Sequence, residues 1–153
     1  MKYQFKPDLK VNETNVLITA QTKNHEVNEI ERALEKIQKE EQMVTVTTHQ
    51  AVYRIHYNEI VFVDVWGDYT TIHLLDRKFK IHQPLRKIEE QLQDERFVRG
   101  SRSLILNLDF VEKFRSSFSG TYLAEMANHQ EVAISRRYWK KVKERVFQNE
   151  MVN

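Results

Sequence analysis

The sequence predicts a mostly β fold with short helices (α+β), on three observations. After Met43 the apolar period changes to two, the period that turns one face of a strand toward a core. Turn-forming pairs, Gly67-Asp68 and Asp76-Arg77, divide the apolar stretches into segments of strand length. Helical periodicity is confined to three places: one ahead of the β-rich region, one within it and one at its end.

In chain order, Val16-Leu17-Ile18-Thr19-Ala20 is a strand candidate, and the polar turn Gln21 to Asn24 is suited to capping a helix. From about His25 to Glu41, Val27, Ile30, Leu34 and Ile37 recur at spacings of three and four with charged residues opposite, which predicts an amphipathic helix. Residues 1–45 are therefore expected to form a strand–helix appendage with a dimerisation or regulatory role, and residues 46–150 the main domain.

Val44 and Val46 alternate with threonines, and Val52 to Ile55 continue past a His49-Gln50 turn. Ile60 to Trp66 is a strongly apolar strand, Gly67-Asp68 turns it, and Tyr69 to Leu75 returns; Lys78 to Ile81 closes the meander. Pro84 opens a short helix with Leu85, Ile88 and Leu92 on its inner face. Leu108 to Phe114, Thr121 to Met126 and Glu131 to Ser135 are three further strand candidates, followed by a helix from about Arg137 to Phe147 that places Trp139, Val142 and Val146 on one side.

A chain of 153 residues with 41% hydrophobic content can bury one core of ordinary size. The formal charge of +2 hides an asymmetry: residues 1–45 carry net −1, residues 46–95 net −2 and residues 96–146 net +6. Arg96, Arg99 and Arg102 form one basic cluster and Arg136 to Arg145 another, which favours an anionic partner. The absence of cysteine removes disulfides, thiolate metal sites and cysteine nucleophiles. No apolar run approaches the roughly 18 residues that cross a bilayer, so a cytoplasmic protein is expected.

Enzymatic chemistry has no foothold. The six histidines show no metal-ligand spacing, Asp64 and Asp68 fall on a strand and in its turn, and the three isolated glycines make no phosphate loop. Neither an enzyme nor a metal, cofactor or small-molecule substrate is expected. What remains is a set of basic and hydroxyl residues in loops flanking strands: Arg99, Arg102 and Ser103 in one place, Ser135, Arg136 and Arg137 in another. Arginine's planar fork matches the guanine edge in the major groove, while hydroxyls and lysines hold phosphate oxygens. A rival reading is a binding module of another kind: an RNA binder stacking bases on Tyr53, Tyr69 and Trp66, or an interaction domain for an acidic protein. Tyr53 and Trp66 are more readily placed in the core.

The wording of the β-rich region resembles the LytTR family of bacterial response-regulator DNA-binding domains over about residues 50 to 146. The resemblance runs through Ile60-Val61-Phe62-Val63-Asp64, Gly67-Asp68-Tyr69-Thr70-Thr71-Ile72-His73-Leu74, Leu85, Phe97-Val98-Arg99-Gly100-Ser101-Arg102-Ser103-Leu104-Ile105-Leu106-Asn107 and Val132-Ala133-Ile134-Ser135-Arg136-Arg137-Tyr138. It implies a transcription regulator built of elongated, LytTR-like antiparallel sheets whose loops enter successive major grooves of double-stranded DNA. Such proteins bind often at paired direct repeats and with bending, so a homodimer or paired copies are expected.

Carried over position by position, the resemblance implies base contacts from Asp68 and Tyr69, from Arg102 and from Arg137. Arg99, Ser103, Ser135, Arg136 and Lys80 then fall to phosphate contact, and Asn107 to a structural turn. Ser101 stands where relatives commonly have histidine and Leu104 where an aromatic is frequent, so the target sequence is not expected to follow the family's. A receiver domain needs about 120 residues, and the 45 here are too few, so aspartyl phosphorylation within this chain is not expected. Small regulators of this layout are often encoded beside membrane proteins that restrain them, which makes a membrane-protein inhibitor an expectation of the resemblance alone.

Overall fold

The computed structural model describes residues 2–10 and 14–152, and the chain divides into two units, residues 1–38 and 39–153. In the first, α1 (His25–Glu41) starts where expected. The Asn24 side chain accepts from the Val27 backbone N–H at 3.0 Å, satisfying one of the donors a helix start leaves open. Val27, Ile30 and Leu34 are half-buried, and Val27 and Ile30 line a groove with Val16 and Ile18. The strand expected at Val16–Ala20 does not form: the segment has no ladder partner among the described residues, and β-branched propensity makes no strand without one.

The second unit begins with the hairpin of β1 (Met43–Thr47) and β2 (Val52–His56). β3 (Ile60–Trp66), β4 (Tyr69–Leu74) and β5 (Lys78–Ile81) form the expected meander, and α2 (Leu85–Gln91) follows. Two strands then appear that periodicity had not shown: β6 (Phe97–Ser101) and β7 (Leu104–Asn107). They join the meander in a five-stranded antiparallel sheet of order β5-β4-β3-β7-β6. β7 is buried at every position, so alternation is absent from its sequence. β8 (Val111–Ser116), β9 (Tyr122–Met126) and β10 (Glu131–Ile134) make a separate three-stranded sheet, and α3 (Arg136–Val152) closes the chain.

The five-stranded sheet is apolar on both faces because each lies on its own core. One face sends Val63, Ile72 and Ile105 against the β1–β2 hairpin and α2, packing with Val44, Val46, Ile55 and Ile88. The other sends Phe62, Leu104 and Leu106 against Ala124, Met126 and Ile134 of the three-stranded sheet and Val142 of α3. Each fully buried Ile or Leu here contributes about 1.5–3 kcal/mol relative to exposure.

The strand expected from Leu108 starts three residues later, at Val111. Asn107 is the reason. It is wholly buried; its Nδ2 donates to the carbonyls of Ile60 at 2.8 Å and Tyr57 at 3.4 Å, and its Oδ1 accepts from the Asp109 N–H at 3.0 Å. These bonds hold Leu108–Phe110 in a single 3-10 turn and tie it to the start of β3.

Candidate nucleic-acid interface

Three chain reversals carry the expected contact residues, and main-chain hydrogen bonds join them. The β3–β4 hairpin turns in two residues, with Gly67 at a φ of 58°, the left-handed value that suits tight hairpins and that glycine adopts without penalty. The β6–β7 hairpin also turns in two residues, Arg102 and Ser103, after a bulge between Arg99 and Ser101. The Val65 N–H donates to the Ser103 carbonyl at 2.9 Å, which fastens one turn to the other. The Ser135 N–H donates to the Gly100 carbonyl at 2.9 Å, which fastens the start of α3 to the bulge. A Cβ at Gly100 would stand 2.7 Å from Leu106 Cδ2 and 2.9 Å from Leu104 Cδ2, so only glycine lets the bulge lie this close to its partner strand.

α3 opens with arginines where a helix prefers acids. Ser135 stands at its N-cap, its carbonyl accepting from the Tyr138 and Trp139 N–H groups at 3.0 and 3.1 Å, and its first turn holds no acidic residue. Arg136 and Arg137 therefore oppose the helix dipole, an arrangement costing about 0.3–1 kcal/mol per charge that an incoming anion would reverse.

The arginines divide by whether the protein already holds them. Arg99 donates to Glu89 at 2.7 and 3.0 Å and to the Arg102 carbonyl at 2.7 Å. Arg96 pairs with Asp94 at 2.8 Å, Arg115 with Glu131 at 2.6 Å, and Arg145 donates to the Glu95 carbonyl at 2.7 Å. Arg136 lies against Gly120, donating to its carbonyl at 3.5 Å. Among the described residues, Arg102 and Arg137 alone of the arginines from Arg96 to Arg145 have neither an ion pair nor a hydrogen bond through the side chain, and both are exposed.

On β4 and β5, Tyr69 is 41% exposed, Lys80 Nζ sits 4.3 Å from its ring centroid, and His82 packs on it at 4.7 Å. His82 was not among the expected residues, although pairing β4 with β5 across Asp76-Arg77 places it opposite Tyr69. Asp68 and Ser103 are exposed and Ser135 half-buried; Gly67, Asp68, His82 and Arg102 line one cleft. Trp66, expected in the core, is 77% exposed beside Ser101, Ser103 and Ser135 in a second cleft, because it stands at the hairpin tip. Tyr53 is half in the open, packed on Phe79 at 4.8 Å.

Asp64 accepts hydrogen bonds from His73 at 2.9 Å and from Trp66 Nε1 at 3.3 Å, so it is committed within the fold. Lower on the same unit, Asp94 and Arg96 form a half-buried pair with Tyr57 beside it. Burial would raise the Asp94 carboxyl, but hydrogen bonds and charge from Arg96 hold it below its ordinary value.

Fold and surface define the class: a β-rich domain that offers loop residues and a basic helix start on one connected edge. The chain belongs to the LytTr DNA-binding domain family, whose profile matches residues 50–147. Among curated relatives it is similar to the transcriptional regulatory protein LytR of Staphylococcus aureus, 24% identical over 103 residues, covering 67% of this chain and 42% of that protein. It is also similar to the sensory transduction protein LytR of Staphylococcus saprophyticus, 25% identical over 106 residues (69% and 42%). The sensory transduction protein LytT of Bacillus subtilis is 21% identical over 100 residues (65% and 42%). The chain thus spans about two fifths of the length of these relatives. A solved LytTr DNA-binding domain from Bacillus cereus shares the fold with a TM-score of 0.61 at 19% identity, covering 69% of this chain and 96% of that one. No helix among the described residues is long and apolar enough to cross a membrane.

Proposed function

We propose that this protein is a cytoplasmic transcription regulator that reads double-stranded DNA by sequence, placing loop residues in major grooves at paired direct repeats, as a homodimer or as paired copies. The carrying observation is that Arg102 and Arg137, exposed and without partners, project from reversals sewn to one edge. An arginine whose fork is already hydrogen-bonded within its own fold must break those bonds to read a guanine; these two need not. Tyr69 supports them with an exposed ring, and Asp68 offers an acceptor suited to a cytosine amine. Lys80, Ser103, Ser135 and Arg136 serve phosphates, whereas Arg99 acts chiefly by holding the Arg102 turn. Residues 1–45 act in assembly or in receiving the input signal, a restraining membrane protein included.

The test is selection of duplexes from a random pool with the full chain, followed by titration against selected and scrambled sites. Arg102→Ala and Arg137→Ala should each cut discrimination by about 5-fold to 100-fold, the worth of one bidentate base contact. Unchanged discrimination in both variants, or a preference for single-stranded DNA or RNA in competition, would overturn the proposal.

A further inference from the structure

We infer that Trp66 is itself a DNA contact, its indole lying against deoxyribose and base edges beside the bases that the arginines engage. The inference rests on the duplex-reading proposal and adds to it a side chain outside the loop and arginine contacts. Three observations carry it.

First, Trp66 is 77% exposed at the tip of a two-residue hairpin, directly opposite Tyr69 in the strand register. A tryptophan left in water keeps roughly 150–250 Å² of surface unburied, a cost that a binding surface recovers.

Second, the ring is fixed from the core outward. Phe62, buried at 2% exposure, stacks on His73 with centroids 4.0 Å apart and planes 18° apart. His73 is hydrogen-bonded to Asp64 at 2.9 Å, and Asp64 accepts from Trp66 Nε1 at 3.3 Å. The indole is thereby oriented before any ligand arrives, and a side chain ordered in advance loses little entropy on binding. Its one donor is already used, so its faces and edges remain, and these suit sugars and base edges and not hydrogen-bond readout.

Third, the surroundings select the occupant. The cleft beside Trp66 is lined by the hydroxyls of Ser101, Ser103 and Ser135, and the Val65 N–H next to it binds the turn that carries Arg102. The two carboxylates of the cleft are already committed, Glu131 to Arg115 at 2.6 Å and Asp64 to His73 at 2.9 Å, and the exposed Arg102 stands next to Ser103 in the adjoining turn, so hydroxyls with a neighbouring unpaired guanidinium face a polyanion with ring surfaces between its charges.

The experiment titrates the full chain with a duplex selected from the random pool, across a salt series, comparing wild type, Trp66→Phe and Trp66→Ala. Trp66→Ala should weaken binding about 10-fold to 100-fold with an unchanged salt slope, because no phosphate contact is lost. Trp66→Phe should stay within about 3-fold of wild type, and DNA should quench its indole emission, now from Trp139 alone, markedly less than that of the wild type. Melting curves establish that both variants fold. Wild-type affinity in Trp66→Ala, with discrimination still lost in Arg102→Ala, overturns the Trp66 contact and leaves the duplex reading standing. Altered self-association at unchanged DNA affinity assigns the ring to a protein contact and overturns it equally. Failure of the wild type to select any duplex removes both.

Discussion

Replacing Arg99 by alanine separates two roles that the sequence alone cannot distinguish. As a phosphate contact, Arg99 would contribute one released counterion, and its loss would lower the slope of log affinity against log salt by about 0.9. In the structure its guanidinium instead bridges Glu89, at 2.7 and 3.0 Å, and the Arg102 carbonyl, at 2.7 Å. A charge-assisted hydrogen bond contributes about 1.5–3 kcal/mol when buried. The side chain of Glu89 is 43% exposed and so recovers water when Arg99 is removed, which brings the net loss to about 1–2 kcal/mol. For a unit of this size that lowers the melting temperature by about 4–8 °C. Thermal melting by circular dichroism reads the first quantity, and fluorescence anisotropy titrations between about 50 and 200 mM salt read the second. Arg99→Ala should melt lower and bind DNA more weakly because the Arg102 turn is loosened, at a salt slope close to wild type. A slope reduced by about 0.9 with an unchanged melting temperature would refute the holding role.

Two further predictions concern the scaffold. Asn107→Ala leaves the Ile60 carbonyl and the Asp109 N–H without their buried partner and should cost about 3 kcal/mol in denaturant unfolding, with the ratio of specific to non-specific binding preserved. Asp94, whose carboxyl is held below its ordinary value, gives a pH signature of definite sign. Its contribution is fully present above the unfolded value near 3.8 and is lost as pH falls through the lower folded value. Wild type and Asp94→Asn should therefore differ in stability at neutral pH and converge in strong acid, and a gap that persists there would count against the Arg96 pairing.

Much of the second unit was legible because its strands are half-buried and its turns are short. The β3–β4–β5 meander follows from alternation interrupted by Gly67-Asp68 and Asp76-Arg77, and in the first unit α1 follows from Asn24 and a stripe of spacing three and four. β6 and β7 escaped because burial on both faces erases alternation and Gly100 sits in a bulge. Val16–Ala20 misled for the opposite reason: its residues favour a strand, but a strand is made by its neighbour. At the site, family wording proposes positions, but not which arginines are already occupied. That depends on partners distant in sequence, Glu89 for Arg99 and Gly120 for Arg136, which no local pattern contains. The exposure of Trp66 depends on where the covering sheet ends, which is likewise a tertiary fact.

The joints between the three reversals are made by peptide groups: the Val65 N–H to the Ser103 carbonyl, and the Ser135 N–H to the Gly100 carbonyl. Peptide groups are common to nearly every residue type, so these joints are indifferent to what Asp68, Tyr69, Arg102, Ser103 and Arg137 carry beyond Cα. The alphabet presented to a ligand can therefore drift or be redrawn while the frame that displays it stays put. A library randomised at those five positions, with Gly67 and Gly100 kept, would sample new recognition without sampling new folds.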